Sequence, residues 1–275
     1  EDGQITPDEI PAGYLQLAVG GNLINDAART QSAFWLGRGY GKGYRPEFHA
    51  ADISSSGELN IDAKGDIHNR GSVIASTDSM ALKAGGDLVN DTLAEVYLAH
   101  KSKKKSTTGS TRKSREDVVF AQAGIGSLNG NTVLEADGDI HNKGGQLGAG
   151  GTLMLDATGT IVLDATTATV RSKSKSSGVG GGSYNRSKAK GSDEKAVLSE
   201  LFANDVVMKA GGDITGIGAQ VSAQHDITVS AGNDINFTAL ETQHSRKSKS
   251  SGIGIAGALD VTGTTALVSA FDNGK

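Results

Sequence analysis

The sequence predicts an all-β fold, a parallel β-helix (β-solenoid), from a recurring motif, its spacing and the composition. The string Gly-Asp-Ile-His-Asn occurs at residues 65–69 and again at 138–142. Before it, apolar and polar residues alternate, which places apolar side chains on one face of a strand. Copies of this pattern recur every 21 residues or so, too few for a strand–helix–strand unit. Each copy can therefore cover its apolar face only by stacking on the next one.

The recurring apolar positions are the predicted core columns of this solenoid. An earlier copy at residues 15–23 carries Val19 where later copies carry alanine. The column residues are Leu59, Ile61, Ile67, Leu82, Leu88, Leu134, Ile140, Leu155, Ile161, Met208, Ile214, Val229 and Ile235.

The spacing of the copies divides the chain into larger units. Copies begin at residues 59, 80, 132, 153, 206 and 227, so gaps of 21 alternate with gaps of 52 or 53. Two coils thus form a unit of 73 or 74 residues, and every second coil carries an insertion. We expect one continuous solenoid with units at 59–131 and 132–205, an incomplete unit at 206–275, and a partial unit at 1–58.

The bends and the coil count follow from the same pattern. Glycine at Gly65, Gly86, Gly138 and Gly212 is expected to supply positive φ at tight corners. About ten coils would make a rod of order 50 Å at the usual strand spacing. Residues 192–203 are the only segment with a plausible helical pattern.

Composition agrees with a thin rod and limits its chemistry. The 39 glycines and three prolines indicate many turns and uninterrupted strand ladders. With no cysteine, disulfides and thiolate metal sites are excluded. The chain begins Glu1-Asp2-Gly3 without a basic, apolar targeting segment, which indicates a cytosolic protein or, better, an internal piece of a longer polypeptide.

The net charge of −4 hides a strong separation of charge. Residues 101–115, 171–190 and 244–251 hold 16 of the 27 basic residues and no acid, leaving 11 basic residues against 31 acids elsewhere. These insertions could be solvated hairpins or floppy loops, could contact an anionic surface such as lipopolysaccharide, or could contact one another or the acidic shaft. The candidate surface-binding cations are Lys101, Lys103, Lys104, Lys105, Arg171, Lys173, Lys175, Arg246, Lys247 and Lys249.

The first insertion differs, because it is rich in glycine and aromatic residues. Phe34, Trp35, Tyr40 and Tyr44 are candidates to bind a sugar ring or a partner. Alternatively, these aromatic residues could plug or cover the end of a coil, and we favour this second interpretation.

Catalytic, metal and cofactor sites are not predicted. The recurring aspartates occur once per coil at the bend, where Gly-Asp needs no catalytic explanation. His68 and His141 are expected some 10 Å apart by coil spacing, without a third ligand. Gly252 to Gly257 match G-x-G-x-x-G outside any strand–helix context. Nucleic acid is not an expected partner, since the basic segments nearly lack aromatic residues.

A resemblance to a known family rests on the repeated Gly-Asp turns and on two insertions. The insertions are Arg-Ser-Lys-Ser-Lys-Ser-Ser-Gly-Val (171–179) and Ser-Arg-Lys-Ser-Lys-Ser-Ser-Gly-Ile (245–253). Together they resemble the haemagglutinin repeats of two-partner-secreted exoproteins, which include filamentous haemagglutinins and effectors of contact-dependent growth inhibition. The resemblance runs from about Leu15 to the end of the chain. It implies a right-handed parallel β-helix, export through an outer-membrane partner transporter, and a location at the surface of a Gram-negative bacterium.

The sequence therefore predicts a non-enzymatic structural segment of a larger secreted polypeptide, a stalk for adhesion or for delivery of a C-terminal toxin to a contacted cell. The resemblance also implies a target or host cell surface as partner. One alternative is an adhesin that binds carbohydrate or an anionic surface directly. Another is a β-helical polysaccharide-degrading enzyme, which would need several acids converging on a face away from the bends.

Overall fold

A computed structural model describes residues 13–256 and 269–270. All the regular elements of these residues are β-strands, numbered here in chain order. No helix in this part of the chain has the length and apolar character needed to cross a membrane.

Three parallel sheets form the body of the molecule. The first sheet contains β1 (Leu15–Val19), β6 (Leu59–Ala63), β9 (Met80–Ala84), β14 (Thr132–Ala136), β17 (Thr152–Ala157), β22 (Asp205–Ala210) and β25 (Ile227–Ala231). The second contains β2 (Leu23–Asp26), β7 (Ile67–Arg70), β10 (Leu88–Asp91), β15 (Ile140–Lys143), β18 (Ile161–Asp164), β23 (Ile214–Ile217) and β26 (Ile235–Thr238). The third contains β5 (Asp52–Ser55), β8 (Val73–Ser76), β13 (Gly124–Ser127), β16 (Gln146–Gly148), β21 (Ser199–Ala203) and β24 (Ala219–Ala223).

The insertions are antiparallel hairpins. The first pairs β3 (Ala28–Gly37) with β4 (Gly41–His49). The later ones form a six-stranded sheet, the lateral sheet, in the order β11 (Leu93–Ser106), β12 (Gly109–Ala121), β19 (Thr166–Gly180), β20 (Ser183–Val197), β27 (His244–Ala256) and β28 (Ser269–Ala270). Hairpins leave the body after β2, β10, β18 and β26, in alternate coils. The predicted parallel β-helix with insertions in every second coil is confirmed.

The described body has seven coils, since its longest sheets have seven strands, so the estimate of ten is wrong. Hairpins of up to 15 residues per strand take much of the chain and leave fewer residues for coils. Six spacings of about 4.8 Å give a body roughly 29 Å long.

The core consists of in-register columns of aliphatic side chains. Ile61 pairs with Leu82 and Leu134 with Leu155, each in the neighbouring coil, and all four are buried. The predicted column residues from Leu59 to Ile214 lie in this buried cluster, and Val229 packs against it partly buried. Ile235 differs, with 47% exposure, because β26 is the last described strand of its sheet. Each fully buried Leu or Ile stabilises the body by about 1.5–3 kcal/mol.

A buried asparagine ladder runs beside the aliphatic columns. The side-chain amide of Asn25 donates to Asn69 at 2.8 Å, that of Asn69 to Asn90 at 2.8 Å, and that of Asn90 to Asn142 at 2.7 Å. The same amides also donate to main-chain carbonyls of the third sheet, such as Val73 O. The ladder ends at Leu163, the register partner of Asn142 in the next coil. The Asn of the Gly-Asp-Ile-His-Asn string, Asn69 or Asn142, is thus an interior residue whose side-chain amide is hydrogen-bonded.

The prediction of positive φ at the Gly-Asp bends is wrong. Positive-φ glycines occur instead at Gly71, Gly144 and Gly218, which turn the chain from the second sheet into the third in coils without a hairpin. At the Gly-Asp bends glycine is required by close approach: a Cβ on Gly138 would lie 2.2 Å from Asp87 Oδ1. That Asp87 oxygen accepts the N–H of Asp139 at 2.8 Å. The same bond recurs along this corner, the acidic corner: Asn22, Asp66, Asp87, Asp139 and Asp213 each accept an N–H from the next coil.

The expected helix at residues 192–203 is also wrong, since these residues complete β20 and form β21. Ser199, Leu201 and Ala203 are buried while Glu200 and Phe202 face outward. This two-residue period is that of a strand, and pairing with β16 and β24 satisfies its backbone.

Candidate functional site: the lateral sheet

The lateral sheet is continuous because two dimensions of the fold match. A hairpin adds two strands to the lateral sheet, about 9.6 Å, and two coils lengthen the body by the same amount. Insertion in every second coil therefore brings each hairpin against the next one, and β12 pairs with β19 and β20 with β27. Of the interpretations left open, the floppy loop is wrong for these hairpins, and contact between neighbouring insertions is what the structure contains.

One face of the lateral sheet carries aligned rows of cations, and we call it the basic face. A single row crosses five strands with a basic residue on each. Its members are Lys103, Arg112, Lys175, Lys188 and Lys249. The neighbouring row has one interruption, at Ser114, and contains Lys101, Lys173, Lys190 and Lys247. Lys105, Arg171 and Arg186 lie on the same face.

The predicted cations are thus divided between two faces. Lys104 and Arg246 lie on the opposite face, where their register partners are mostly serine, threonine and glycine. Arg112, Arg186, Lys188 and Lys190 belong to the basic face but were absent from the candidate residues. The alternation Lys-x-Lys at 101–105, 173–175, 188–190 and 247–249 could have revealed both facts, because a period of two gives one basic face on a strand.

The basic face is exposed and lacks neutralising partners. The basic-row residues Arg112, Lys175, Lys188 and Lys249 are all exposed to solvent. The ion pairs of residues 13–256 use none of the cations of the two rows. Like charges directly opposite each other on neighbouring strands are destabilising. The rows therefore have a free-energy cost that an opposite charge would relieve.

The aromatic hairpin β3–β4 packs beside the lateral sheet, so the interpretation that it covers a coil end is wrong. Phe34 meets Tyr97 of β11 edge to face, with ring centroids 6.1 Å apart. Lys101 Nζ lies 4.4 Å from the centroid of the Tyr40 ring, a cation–π distance. Trp35 and Tyr44 point away from these contacts and are 69% and 60% exposed. Because Trp35 pairs with Lys42 and Ala33 with Tyr44, both aromatic rings lie on one face of the hairpin.

An ion pair connects the aromatic hairpin to the lateral sheet. The Arg29 guanidinium donates twice to the Glu95 carboxylate of β11. This hydrogen bonding lowers the pKa of Glu95 and raises the pKa of Arg29. On the body, the Arg70 guanidinium donates to the Asp26 carboxylate, and this hydrogen bond lowers the pKa of Asp26.

The remaining titratable groups are spread along the body. His68 Nε2 lies 3.6 Å from Asp66 Oδ2, and His141 Nε2 lies 3.7 Å from Asp139 Oδ2. In the second sheet, Val89 is the register partner of both histidines and separates them. Burial raises the pKa of Asp91. Within residues 13–256 and 269–270, no cluster of three or more potential metal ligands occurs. No coil has more than one corner aspartate, and each one that has a following described coil with this corner bond accepts a backbone N–H from it.

Comparison with known proteins identifies the family. The family model of the hemagglutinin repeat matches residues 99–184 and 179–274. A tRNA nuclease CdiA-2 from Burkholderia pseudomallei (strain 1026b) is 26% identical over 278 residues, which covers 95% of this chain and 8% of that protein. A Deoxyribonuclease CdiA from Dickeya dadantii (strain 3937) is 30% identical over 206 residues, which covers 60% of this chain and 6% of that protein.

The chain thus spans less than a tenth of the length of these relatives. No solved structure matches significantly. The matched residues contain the Lys/Ser hairpins and the coils between them, the features from which the resemblance was first inferred. This chain belongs to the hemagglutinin-repeat family.

Proposed function

We propose that this chain is a β-helical stalk segment of a large secreted exoprotein, displayed on a Gram-negative bacterium and used to deliver a C-terminal toxin to a contacted cell. Export would use an outer-membrane partner transporter. The observation that carries the proposal is the uninterrupted three-sheet body, whose long-range pairing makes a stiff rod. The relatives are named for nuclease activities, and we place any such activity outside this segment, whose recurring corner aspartates are distributed singly.

The repeat unit of this stalk is proposed to be the pair of coils with its hairpin, at 59–131, 132–205 and 206–275, preceded by the partial unit 1–58. Three in-frame deletions in the full-length exoprotein test the stalk and this unit together. They remove the whole segment, residues 132–205, or only the coil at residues 132–152.

We expect all three variants to be secreted. Loss of the whole segment should abolish growth inhibition of target cells while leaving the nuclease activity of cell extracts unchanged. Removal of 132–205 should preserve surface display, as measured by labelling of intact cells, because it keeps the hairpins in phase. Removal of 132–152 should abolish surface display, because it keeps the strand register but brings two hairpins to coils one spacing apart. Full inhibition by the whole-segment deletion would refute the stalk.

A second candidate is direct adhesion through the aromatic hairpin, favoured by the exposure of Trp35 and Tyr44 on one face. Planar aromatic rings flanked by polar groups are suited to sugar rings. The test is binding of the chain to intact cells after Trp35→Ala and after Tyr44→Ala. The matched control is Leu128→Ala, since Leu128 is also an exposed apolar residue, with 72% exposure. Binding lost only in the aromatic variants supports adhesion, and equal binding in all variants excludes this site.

A further inference from the structure

The chain carries two charged arrays that are not neutralised by each other. One is the basic row of Lys103, Arg112, Lys175, Lys188 and Lys249 on the lateral sheet. The other is the acidic corner, with Asp66, Asp87 and Asp139 on three successive coils and Asp213 and Asp234 on two later ones. In each corner aspartate that accepts a backbone N–H, Oδ1 is used. The second oxygen lies near His141 in Asp139, and near His68 and the Asn22 amide in Asp66.

The two arrays share one repeat distance. Neighbours in the basic row belong to adjacent strands of the lateral sheet, and neighbours along the acidic corner belong to adjacent coils. Both steps are therefore one strand spacing, about 4.8 Å. Both arrays also follow the axis of the body, because the hairpins are stacked along it with the coils. A basic row can thus be laid against an acidic corner with several charges in register at once.

The arrays cannot be paired within one molecule by the contacts that exist. The acidic corner lies between the first and second sheets, while the hairpins leave the body after the second sheet. The ion pairs of residues 13–256 include none between the row and the corner. A second molecule of the chain can bring a basic row against an acidic corner, which the contacts within one molecule do not.

We propose that a second copy of this chain is the partner of the basic face, and that rods associate side by side, the basic row of one against the acidic corner of the next. The register match favours this partner over a disordered polyanion, which would not be ordered at the strand spacing. Tyr184 lies on this face, but the two basic rows themselves contain no aromatic residue on which nucleic-acid bases could stack. The inference goes beyond the stalk proposal and does not depend on secretion or toxin delivery.

Individual exposed ion pairs are weak and screened by salt, so the association should be modest and strongly dependent on ionic strength. For the purified 275-residue chain, sedimentation equilibrium should give a dissociation constant that rises at least tenfold between 50 and 500 mM NaCl. Tenfold weakening is the least that loss of several cooperating pairs would produce.

Two variants remove one array each. The row variant replaces Lys103, Arg112, Lys175, Lys188 and Lys249 by glutamine. The corner variant is Asp66→Asn, Asp87→Asn and Asp139→Asn, which keeps an amide oxygen to accept the corner N–H. Asn22 already makes this bond, accepting the N–H of Asp66 at 2.9 Å. Far-UV circular dichroism verifies that both variants fold.

Each variant alone should associate far more weakly than the unmodified chain, because every molecule in the sample lacks the same array and the proposed row–corner contact is lost. An equimolar mixture should form heterodimers, since the corner variant retains its row and the row variant retains its corner. A control with Lys104, Lys113 and Arg246 replaced by glutamine alters the opposite face and should associate normally.

A mixture that stays monomeric, or a corner variant that associates as the unmodified chain does, overturns the proposal. So does row-dependent binding to phosphatidylglycerol or lipopolysaccharide vesicles by a chain that shows no self-association, which would assign the face to an anionic surface instead.

Discussion

The body and the lateral sheet are both β-structures built on one strand spacing, but they are stabilised differently. Body strands of three to six residues are parallel and direct alternate side chains into an interior of aliphatic columns and asparagines. Five of the six lateral strands have 13 to 15 residues; they are antiparallel, and much of their length is Ser and Lys that stays solvated on both faces. Burial stabilises the first region, while backbone pairing to neighbouring hairpins holds the second. Substitutions should therefore be costly in the body and cheap in the lateral sheet.

The largest effect should come from a charge in the body interior. Ile140 is fully buried in the central coil, so Ile140→Asp should lower the free energy of unfolding by more than about 4 kcal/mol and disrupt several coils. Urea unfolding followed by far-UV circular dichroism measures this change. Lys188→Asp on the lateral sheet is the paired control and should change stability by less than about 0.5 kcal/mol. Comparable losses in the two variants would erase the distinction between the regions.

A smaller loss should follow a change of one atom in the asparagine ladder. Asn90→Asp replaces the amide that donates to Asn142 by an oxygen and places a carboxylate in a buried site, with an expected cost of about 3 kcal/mol. Asn90→Leu should cost about half as much by the same reasoning, since Leu163 occupies the equivalent position in a later coil. Chemical denaturation of both variants provides the ranking, and a less stable leucine variant would contradict this account of the ladder.

The acidic corner offers a test of why its glycines are needed. Gly138→Ala should cost about 2 kcal/mol, because its Cβ would meet Asp87 Oδ1. In a double-mutant cycle, the same substitution in an Asp87→Ala background should cost less, since the obstructing carboxylate is gone. Additive effects would show that the Asp87 carboxylate is not the obstacle.

The body could be predicted from the sequence and the lateral sheet only in part, for a physical reason. Coils bury a strict two-residue alternation, and stacking forces each apolar position to recur, so Leu59 and its successors are visible as a period. Hairpin pairing depends on the match between hairpin width and coil pairs, which is a property of the assembled rod. The corner glycines were assigned the wrong cause because Asp87 approaches Gly138 from another coil, a contact 51 positions away in sequence. The basic face was missed because residues were grouped by segment and not by strand face.

Removal of a hairpin should barely affect the body. Replacing residues 172–190 by Asn-Gly should lower the free energy of unfolding by less than about 1 kcal/mol, because the hairpin buries little apolar surface. Hydrogen exchange should then show loss of protection in β12 and β27, which lose their partners β19 and β20. Collapse of the body signal on the same deletion would mean that the hairpins belong to the folding core.

The smallest effect should be a pH dependence confined to the aromatic hairpin. The pKa of Glu95 is lowered by its bond to Arg29, so this contact stabilises the hairpin above the ordinary glutamate pKa. The contribution is lost as pH falls through the lowered folded-state pKa. Fluorescence anisotropy of Trp35, the single tryptophan, should therefore decrease at acidic pH, and Glu95→Gln should lower it already at neutral pH. An anisotropy insensitive to both changes would show that the ion pair does not hold the hairpin.

The width of one hairpin in the lateral sheet equals the length of two coils along the body. This match constrains how such a chain can change length over evolution. A duplication or deletion of a single 21-residue coil would bring two hairpins one spacing too close or leave a gap between them. A block of 73 or 74 residues adds or removes two coils and one hairpin together, so the remaining strands and hairpins keep neighbours to pair with. Recombination between repeats should therefore be tolerated only in such blocks, so that related rods differ in length by even numbers of coils.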